Sequence, residues 1–518
     1  VEALVKLYQS VAALSDSYWR TQKLIEIKEL IEQCSGLYIE ATSTEQFAVQ
    51  TDSIKLNFSF NNRLGANAVL QKVQAAGFDT SFTKSLDRNK NIGFSKTVFV
   101  SPEKKLTQPY WLVEKMEEGS FNVSNQLQIG QPDMDPAYEV HTDLLIYGEK
   151  FSFTKPVKYK YTDPVRGELY QPVFVIPAAT VTSSPSVLLY QRGEVQKKEV
   201  VLQVNANKNL PGATRLELLG ASERLSQIDK SGAAKNISKE YSFQLSNGKY
   251  IGGEIEKVYA VAKYAAANDS VVVTQAIRTI NYDHIPSVKY LFTDYIKALH
   301  LSLKIYNKKI GYITGAGDKV PEALEQMGYE VTLLTDKELA RNNLSQFDAI
   351  LTGVRAHNTN EWMNNHYDKL MKYVNDGGNL IVQYNTSSNI GPVKAKMGPY
   401  NFDVSRIRVT DENATVTFLK PKHPVLNFPN KISQEDFNGW IQERSIYHAA
   451  KWDKNFETIF LMSDPGEKAD EGSLIISKYG KGYFTYTGIV FFRELPAGVP
   501  GAYRLLANII ALNKKKAF

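Results

Sequence analysis

The last third of this 518-residue sequence carries a set of side chains suited to gripping or transforming small polar molecules: Arg355, His357, Asn358, Tyr384, Asn385, Glu443, Arg444, His448 and Arg493. A guanidinium offers a planar fork to a carboxylate or a sugar hydroxyl, and histidine donates or accepts a proton near neutral pH. Arg, His and Asn directly after a buried strand are costly in a core and natural in a cleft. They could equally be loop residues that contact a neighbouring domain. If chemistry happens here, a histidine or glutamate is its general base, and Arg355, His357, Tyr384, Glu443 and His448 carry it. Asp318, closing "GAGD" (315–318), belongs to the same edge. That stretch lacks the third glycine of a phosphate loop, and the carboxylate would repel phosphate at a helix start.

Other chemistries find less support. His357, Glu361 and His366 are near one another, but no His-Glu-x-x-His helix exists, and His357, His423 and His448 would have to converge in space. No metal site is expected. No Gly-x-Ser-x-Gly elbow occurs, and "NTSS" (385–388) offers hydroxyls with no evident base. The lone Cys34 excludes an internal disulfide framework and reads as a small buried apolar residue. Net charge is +6 and is gathered only in the terminal "NKKKA", which reads as a solvated tail and not a nucleic-acid patch. No run approaches the ~20 apolar residues of a membrane helix.

The elements that must position these residues change grammar along the chain. Residues 1–36 place Leu4, Leu7, Val11, Leu14, Tyr18, Leu24, Ile27 and Ile31 at helical steps, as one bent helix or a hairpin. The stripe needs a neighbouring domain to cover it, and Leu14→Asp is expected to act as a buried-charge defect. Residues 37–170 switch to period two, as in "SIKLNFSF" (53–60), with turns between short strands, which predicts a β-sandwich. Tyr110 and Trp111 there could stack on a sugar ring or fill the core. Residues 171–300 repeat the pattern as a second, Ig-like sandwich. From 301 to 518, strands alternate with helices, which predicts a doubly wound parallel sheet. In "DGGNLIVQYNTSS" (376–388) the glycines stop a helix, "NLIVQY" forms a central strand, and Tyr384 and Asn385 emerge at its carboxyl edge.

The fold class is therefore multidomain β plus α/β. Within it, "FDAILTGVRAHN", "DGGNLIVQYNTSS", "KHPVLNFPNKISQEDFNGW" and "GIVFFRELPAGVPGAYRLLANII" resemble the ThuA-type domain, a relative of class I glutamine amidotransferases. The order of parts over essentially all 518 residues, with "DPVRGELYQPVFVIPAATV" (163–181) and "INYDHIP" (280–286), resembles the C-terminal extension of bacterial PIG-L (LmbE-type) deacetylases. The catalytic domain of that family uses zinc to remove an acetyl group from an N-acetylated sugar. Its Ala-His-Pro-Asp-Asp motif is missing here, since "HPVL" puts Val425 where the first aspartate is required. The amidotransferase nucleophile is missing too, because Tyr384 or Asn385 holds its place.

The resemblance thus implies a region with no catalytic residue of its own and no cofactor, zinc belonging to an N-terminal deacetylase domain of the same polypeptide. The absence of an initiator methionine at Val1 fits such an excised or processed piece. The implied partners are that domain and a glycan, and the implied location is the periplasm or the outside of a bacterial cell. Two other readings stay open: a ThuA-type enzyme acting on small or sugar-like molecules from the α/β cleft, and a purely structural oligomerisation unit.

Overall fold

The computed structural model describes residues 1–117, 119–131, 134–266, 269–285, 287–387 and 396–514. Ser388 of "NTSS", Pro286 of "INYDHIP" and the lysines after Lys514 lie outside the described residues. The chain opens with a helical hairpin, Glu2–Ala12 and Tyr18–Ser35. The second helix starts at Ser17, whose hydroxyl accepts from the Arg20 amide at 3.1 Å, and Arg20 reaches back to the Ala12 carbonyl at 2.8 Å. Val5, Ile27 and Ile31 enter the core of the first sandwich beside Phe151, each contributing about 1.5–3 kcal/mol on burial.

Two expectations for this segment fail. Leu14 is 60% exposed, because the first helix ends at Ala12 and breaks the continuous stripe just before it. Cys34 is exposed, because the buried row of the second helix runs Ile27, Ile31, Ser35 in steps of four and leaves position 34 beside it.

The first sandwich pairs two sheets. One has the strand order Gly167–Pro172, Lys158–Asp163, Leu37–Ser43, Ser53–Asn62, Asn91–Phe99. The other has the order Phe78–Ser85, Ala68–Ala75, Glu139–Ile146, Glu149–Pro156. "SIKLNFSF" alternates as the period predicts: Ile54, Leu56, Phe58 and Phe60 are buried against Leu70, Val73 and Leu144 of the facing sheet. Tyr110 and Trp111 form a short turn of half-buried residues and stay out of that core. Residues 179–301 form a second pair of sheets, with three strands in one and six in the other, around Leu202, Leu216 and Val258. A two-strand parallel bridge, Phe47–Val49 with Phe174–Ile176, ties the two sandwiches.

The C-terminal sheet runs Glu330–Leu333, Lys309–Ile313, Ala349–Thr352, Asn379–Gln383, Gly482–Thr487, Leu474–Tyr479, Phe456–Thr458. Its first five strands are parallel, and the last two join through antiparallel pairings, so that Leu474–Tyr479 alone of the seven runs against the others. Helices cover both faces. Leu351 and Ile381 share a core with helices Val320–Met327 and Pro500–Ile510, while Ile350, Leu380 and Val382 pack with helix Tyr367–Asn375. Near-continuous apolar strands are what a sheet buried on both faces requires. The helix stop before Asn379 is made by Gly377 at φ +121°, a conformation that strains any side chain. Val187, Leu189, Leu299 and Leu301 of the second sandwich share the core of the Val320–Met327 face, so the two regions are joined by apolar burial.

Candidate functional site

Parallel neighbours deliver their exits to one edge. Strands Ala349–Thr352 and Asn379–Gln383 run in register from Ile350 opposite Leu380 to Thr352 opposite Val382, so residues 353–358 and 384–387 leave side by side. The exits are then locked together. The Arg355 amide donates to the Tyr384 carbonyl at 2.8 Å, and the His357 amide donates to Asn385 Oδ1 at 3.0 Å. Asn358 donates to the Thr386 carbonyl at 3.3 Å and accepts from its amide at 2.7 Å. Asn358 and Asn385 are thus spent on loop geometry. Asp318 is spent likewise: it accepts from Tyr312 Oη at 2.6 Å and from the amides of Val320 and Val354, both at 3.1 Å. At Gly315 a Cβ would meet the Val354 carbonyl oxygen at 2.1 Å, so only glycine lets these two loops cross.

An aromatic and cationic cluster forms on this scaffold. The Tyr384 ring stacks on Tyr447 with centroids 5.6 Å apart and planes at 9°, and meets Phe492 at 5.3 Å. Arg493 Nε donates to Glu443 Oε1 at 2.8 Å, its fork also reaches Gln442, and its guanidinium lies 5.0 Å over the Phe492 ring. Burial pushes the Tyr384 hydroxyl up, while the charges of Arg355 and Arg493 pull it down. Arg355, Tyr384, Glu443 and Arg493 therefore share one electrostatic neighbourhood, with Tyr447 and Phe492 as its walls. Arg355 holds a left-handed backbone, φ +58°, a strain of roughly 1–2 kcal/mol that such edges characteristically store.

Beneath this cluster lie polar atoms without partners among the described residues: Arg355 Nε, His357 Nδ1 and Gln383 Oε1. Each unsatisfied buried group costs about 1–3 kcal/mol. Gln383 is otherwise held, donating to Tyr312 Oη at 3.1 Å and to the Thr352 carbonyl at 3.2 Å. His357 is buried, and burial pushes its pKa down to about 4, so it is neutral at physiological pH.

Two predicted residues stand apart from this cluster. Arg444 is buried under Phe437 and Trp440, 5.7 and 5.6 Å from their ring centres, and donates to the Ala414 and Phe437 carbonyls. It braces a loop. His448 is buried in a relay that sequence reasoning did not anticipate. Its Nε2 lies 2.6 Å from Ser445 Oγ and its Nδ1 2.6 Å from Asp470 Oδ1. This is the connectivity of a hydrolytic triad. However, Ser445 and His448 are fully buried, with Met462 Sδ at 3.4 Å from the hydroxyl. Burial raises the Asp470 carboxyl, but the hydrogen bonds from His448 and the Gly472 amide outweigh it and hold its pKa low. Glu494 was also missed. It has no solvent exposure, takes the Ile441 amide on both oxygens at 3.3 and 3.2 Å, and burial pushes its pKa up to about 8.

The Ser-x-x-His spacing at 445–448 was a local signal for part of the relay, whereas Asp470 and Tyr447 had none. Among the described residues no three His, Cys, Asp or Glu side chains come together as a metal site. No helix among them is long and apolar enough to cross a membrane.

No family model matches the chain, and no curated protein matches it. Among solved structures it is similar to a red sea bream transglutaminase, with 12% identity over 52% of this chain and 33% of that one and a TM-score of 0.23. It is also similar to Cwp6 from Clostridium difficile, with 10% identity over 34% of this chain and 33% of that one and a TM-score of 0.15. A protein of unknown function from Porphyromonas gingivalis W83 matches at 10% identity over 51% of this chain and 99% of that one, with a TM-score of 0.13. The chain spans about a third of the length of the first two. At these TM-scores none of the three bears on function.

Proposed function

We propose that this chain is a non-catalytic accessory region of a bacterial, exported PIG-L-type zinc deacetylase that acts on N-acetylated sugars. Two Ig-like sandwiches would serve as spacers, and an amidotransferase-like domain of ThuA type would bind a small polyhydroxylated or anionic ligand at its strand ends. One observation carries the binding role: the parallel Tyr384 and Tyr447 rings and Phe492 share one neighbourhood with two guanidiniums, Arg355, whose charge acts on the Tyr384 hydroxyl, and Arg493, which lies 5.0 Å over Phe492. Aromatic walls suit the apolar face of a ring, and guanidinium forks suit carboxylates or vicinal hydroxyls. Glu443 already neutralises Arg493 at 2.8 Å, whereas Arg355 has no ion pair among the described residues.

The test is calorimetric titration with N-acetylglucosamine, glucuronate and acetate, comparing the parent with Arg355→Ala and Tyr384→Ala. Binding that both variants weaken supports the reading. No heat with any of the three, or equal binding in all proteins, overturns it. Stoichiometric zinc together with acetate release from an N-acetylhexosamine would overturn the non-catalytic assignment.

The alternative, a ThuA-type enzyme, is favoured by one specific feature, the Ser445–His448–Asp470 relay. It needs Ser445 to become reachable, and covalent labelling by a fluorophosphonate decides the point.

A further inference from the structure

The solvent face of the first sandwich is used neither by its core nor by the C-terminal cleft. Side chains alternate along a strand, so Tyr38 and Glu40 point away from the core that takes Leu37, Ile39 and Ala41. The register sets Asn61 opposite Tyr38 and Ser59 opposite Glu40. Beyond the neighbouring edge, Tyr170 stands opposite Lys160 on the two outer strands. At the edge of the sheet a cavity of about 360 Å3 is bordered by Tyr38, Glu40, Lys158 and Tyr170, with Lys155 and Pro156 of the facing sheet on its other side. It lies along Tyr38–Ala41, where the strand pairs with Ser53–Asn62 on one side and meets Lys158 on the other only from Thr42 onward.

The polar groups here are organised. Tyr38 Oη donates to Glu40 Oε1 at 2.5 Å, and Tyr170 Oη, with a single proton to give, lies 2.7 Å from the same oxygen and 2.5 Å from Glu168 Oε1, so the Glu40 carboxylate is held through one oxygen. Its other oxygen has Lys160 Nζ at 3.5 Å, a long contact that leaves room for a better donor. Lys160 is held at 2.9 Å by Glu168. Asn61 donates to Asn91 at 2.5 Å, while its own Oδ1 is buried with no partner among the described residues. Tyr170 remains 40% exposed. Further across, Asn57 accepts from Ser95 at 3.0 Å, and Gly93, with no side chain, keeps the face low.

This chemistry discriminates between ligands. A protein partner wants an apolar centre, which this face lacks. A nucleic acid wants a run of unopposed positive charge; here Lys160 is matched by Glu40 and Glu168 and Arg63 is engaged over the Tyr38 ring, so the cations, Lys158 included, are interleaved with acids and aromatics and form no such run. Arg63 lies over the Tyr38 ring at 4.9 Å and Lys160 Nζ over the Tyr170 ring at 5.4 Å; hydroxyls, a fixed carboxylate, amides and cations gathered this way match the hydroxylated rim of a sugar ring more than its apolar face. Five strands at ~4.8 Å spacing give a strip about 19 Å wide, enough for several such rings in line.

We propose that this face is a saccharide-binding platform anchored by Tyr38, Glu40 and Tyr170, separate from the C-terminal cleft. Affinity electrophoresis of the full chain tests it, through native gels containing xylan, hydroxyethyl cellulose, glycol chitin or dextran. At least one polysaccharide should retard the parent. Tyr170→Ala and Glu40→Gln should weaken that retardation about tenfold, the scale of one lost aromatic or charge-assisted contact. Tyr384→Ala should leave it unchanged. Asn57→Ala, on a partly exposed position in the middle of the face, serves as the second reporter should an edge variant lose its cooperative melt. Retardation by none of the four polymers overturns the proposal. So does retardation that persists in Tyr170→Ala, Glu40→Gln and Asn57→Ala, or that is lost in Tyr384→Ala alone.

Discussion

Replacing Glu494 by glutamine should stabilise the C-terminal region at alkaline pH and do little near pH 5. Glu494 closes helix Phe491–Glu494 with no solvent exposure and accepts the Ile441 amide. Burial pushes its pKa from 4.5 up to about 8; Arg444 and Arg493 pull it down and Glu412 pushes it further up. Between those two pH values the folded carboxyl holds a proton that the unfolded one has released, so stability falls as pH rises through the window. The full effect, reached above pH 8, is about 5 kcal/mol, an upper bound because water penetration and relaxation soften buried charge. Glutamine keeps the size and the acceptor for Ile441 but has nothing to ionise. Urea denaturation at about pH 5, 7 and 9 measures this by fluorescence, since Trp362, Trp440 and Trp452, three of the five tryptophans, lie in this region. The expected gain for Glu494→Gln is near zero at the lowest pH and several kcal/mol at the highest. A difference that does not change with pH, or a variant less stable at the highest pH, would refute the reasoning.

His357 titrates in the opposite sense. Its pKa falls from 6.5 to about 4 on folding, so its contribution is intact above pH 6.5 and is lost as pH drops toward 4, by on the order of 3 kcal/mol. His357→Gln should flatten that acid limb in urea melts, and an unchanged limb would contradict it. In the helical hairpin, Ile31→Asp should cost several kcal/mol while Leu14→Asp should shift the melt by less than about 0.5 kcal/mol. Equal melting of the two variants would show that the hairpin does not pack as described. Ser445 should resist a fluorophosphonate in the folded protein and His448→Ala should destabilise it, because the relay is closed to solvent; stoichiometric labelling of the parent would show the opposite.

Periodicity alone determined the local elements. Alternation in 53–60 and helical spacing in 367–375 are each written in consecutive residues, so a short window carries the signal. Parallel pairing of two adjacent buried strands also follows from sequence, and with it the shared edge that holds Arg355 and Tyr384. What consecutive residues cannot state is which side chains meet across long separations. Tyr447 reaches Tyr384 from a loop 63 residues on, as the numbering shows, and Asp470 meets His448 only because the strand Leu474–Tyr479 folds back beside them. Arg444 and Glu443 are adjacent in sequence, yet one braces Phe437 and Trp440 while the other grips Arg493 at the cleft. Burial decided the rest. It neutralised His357, sealed Ser445 and His448, and left Leu14 and Cys34 in water, because solvent access is a property of packed neighbours and not of residue type.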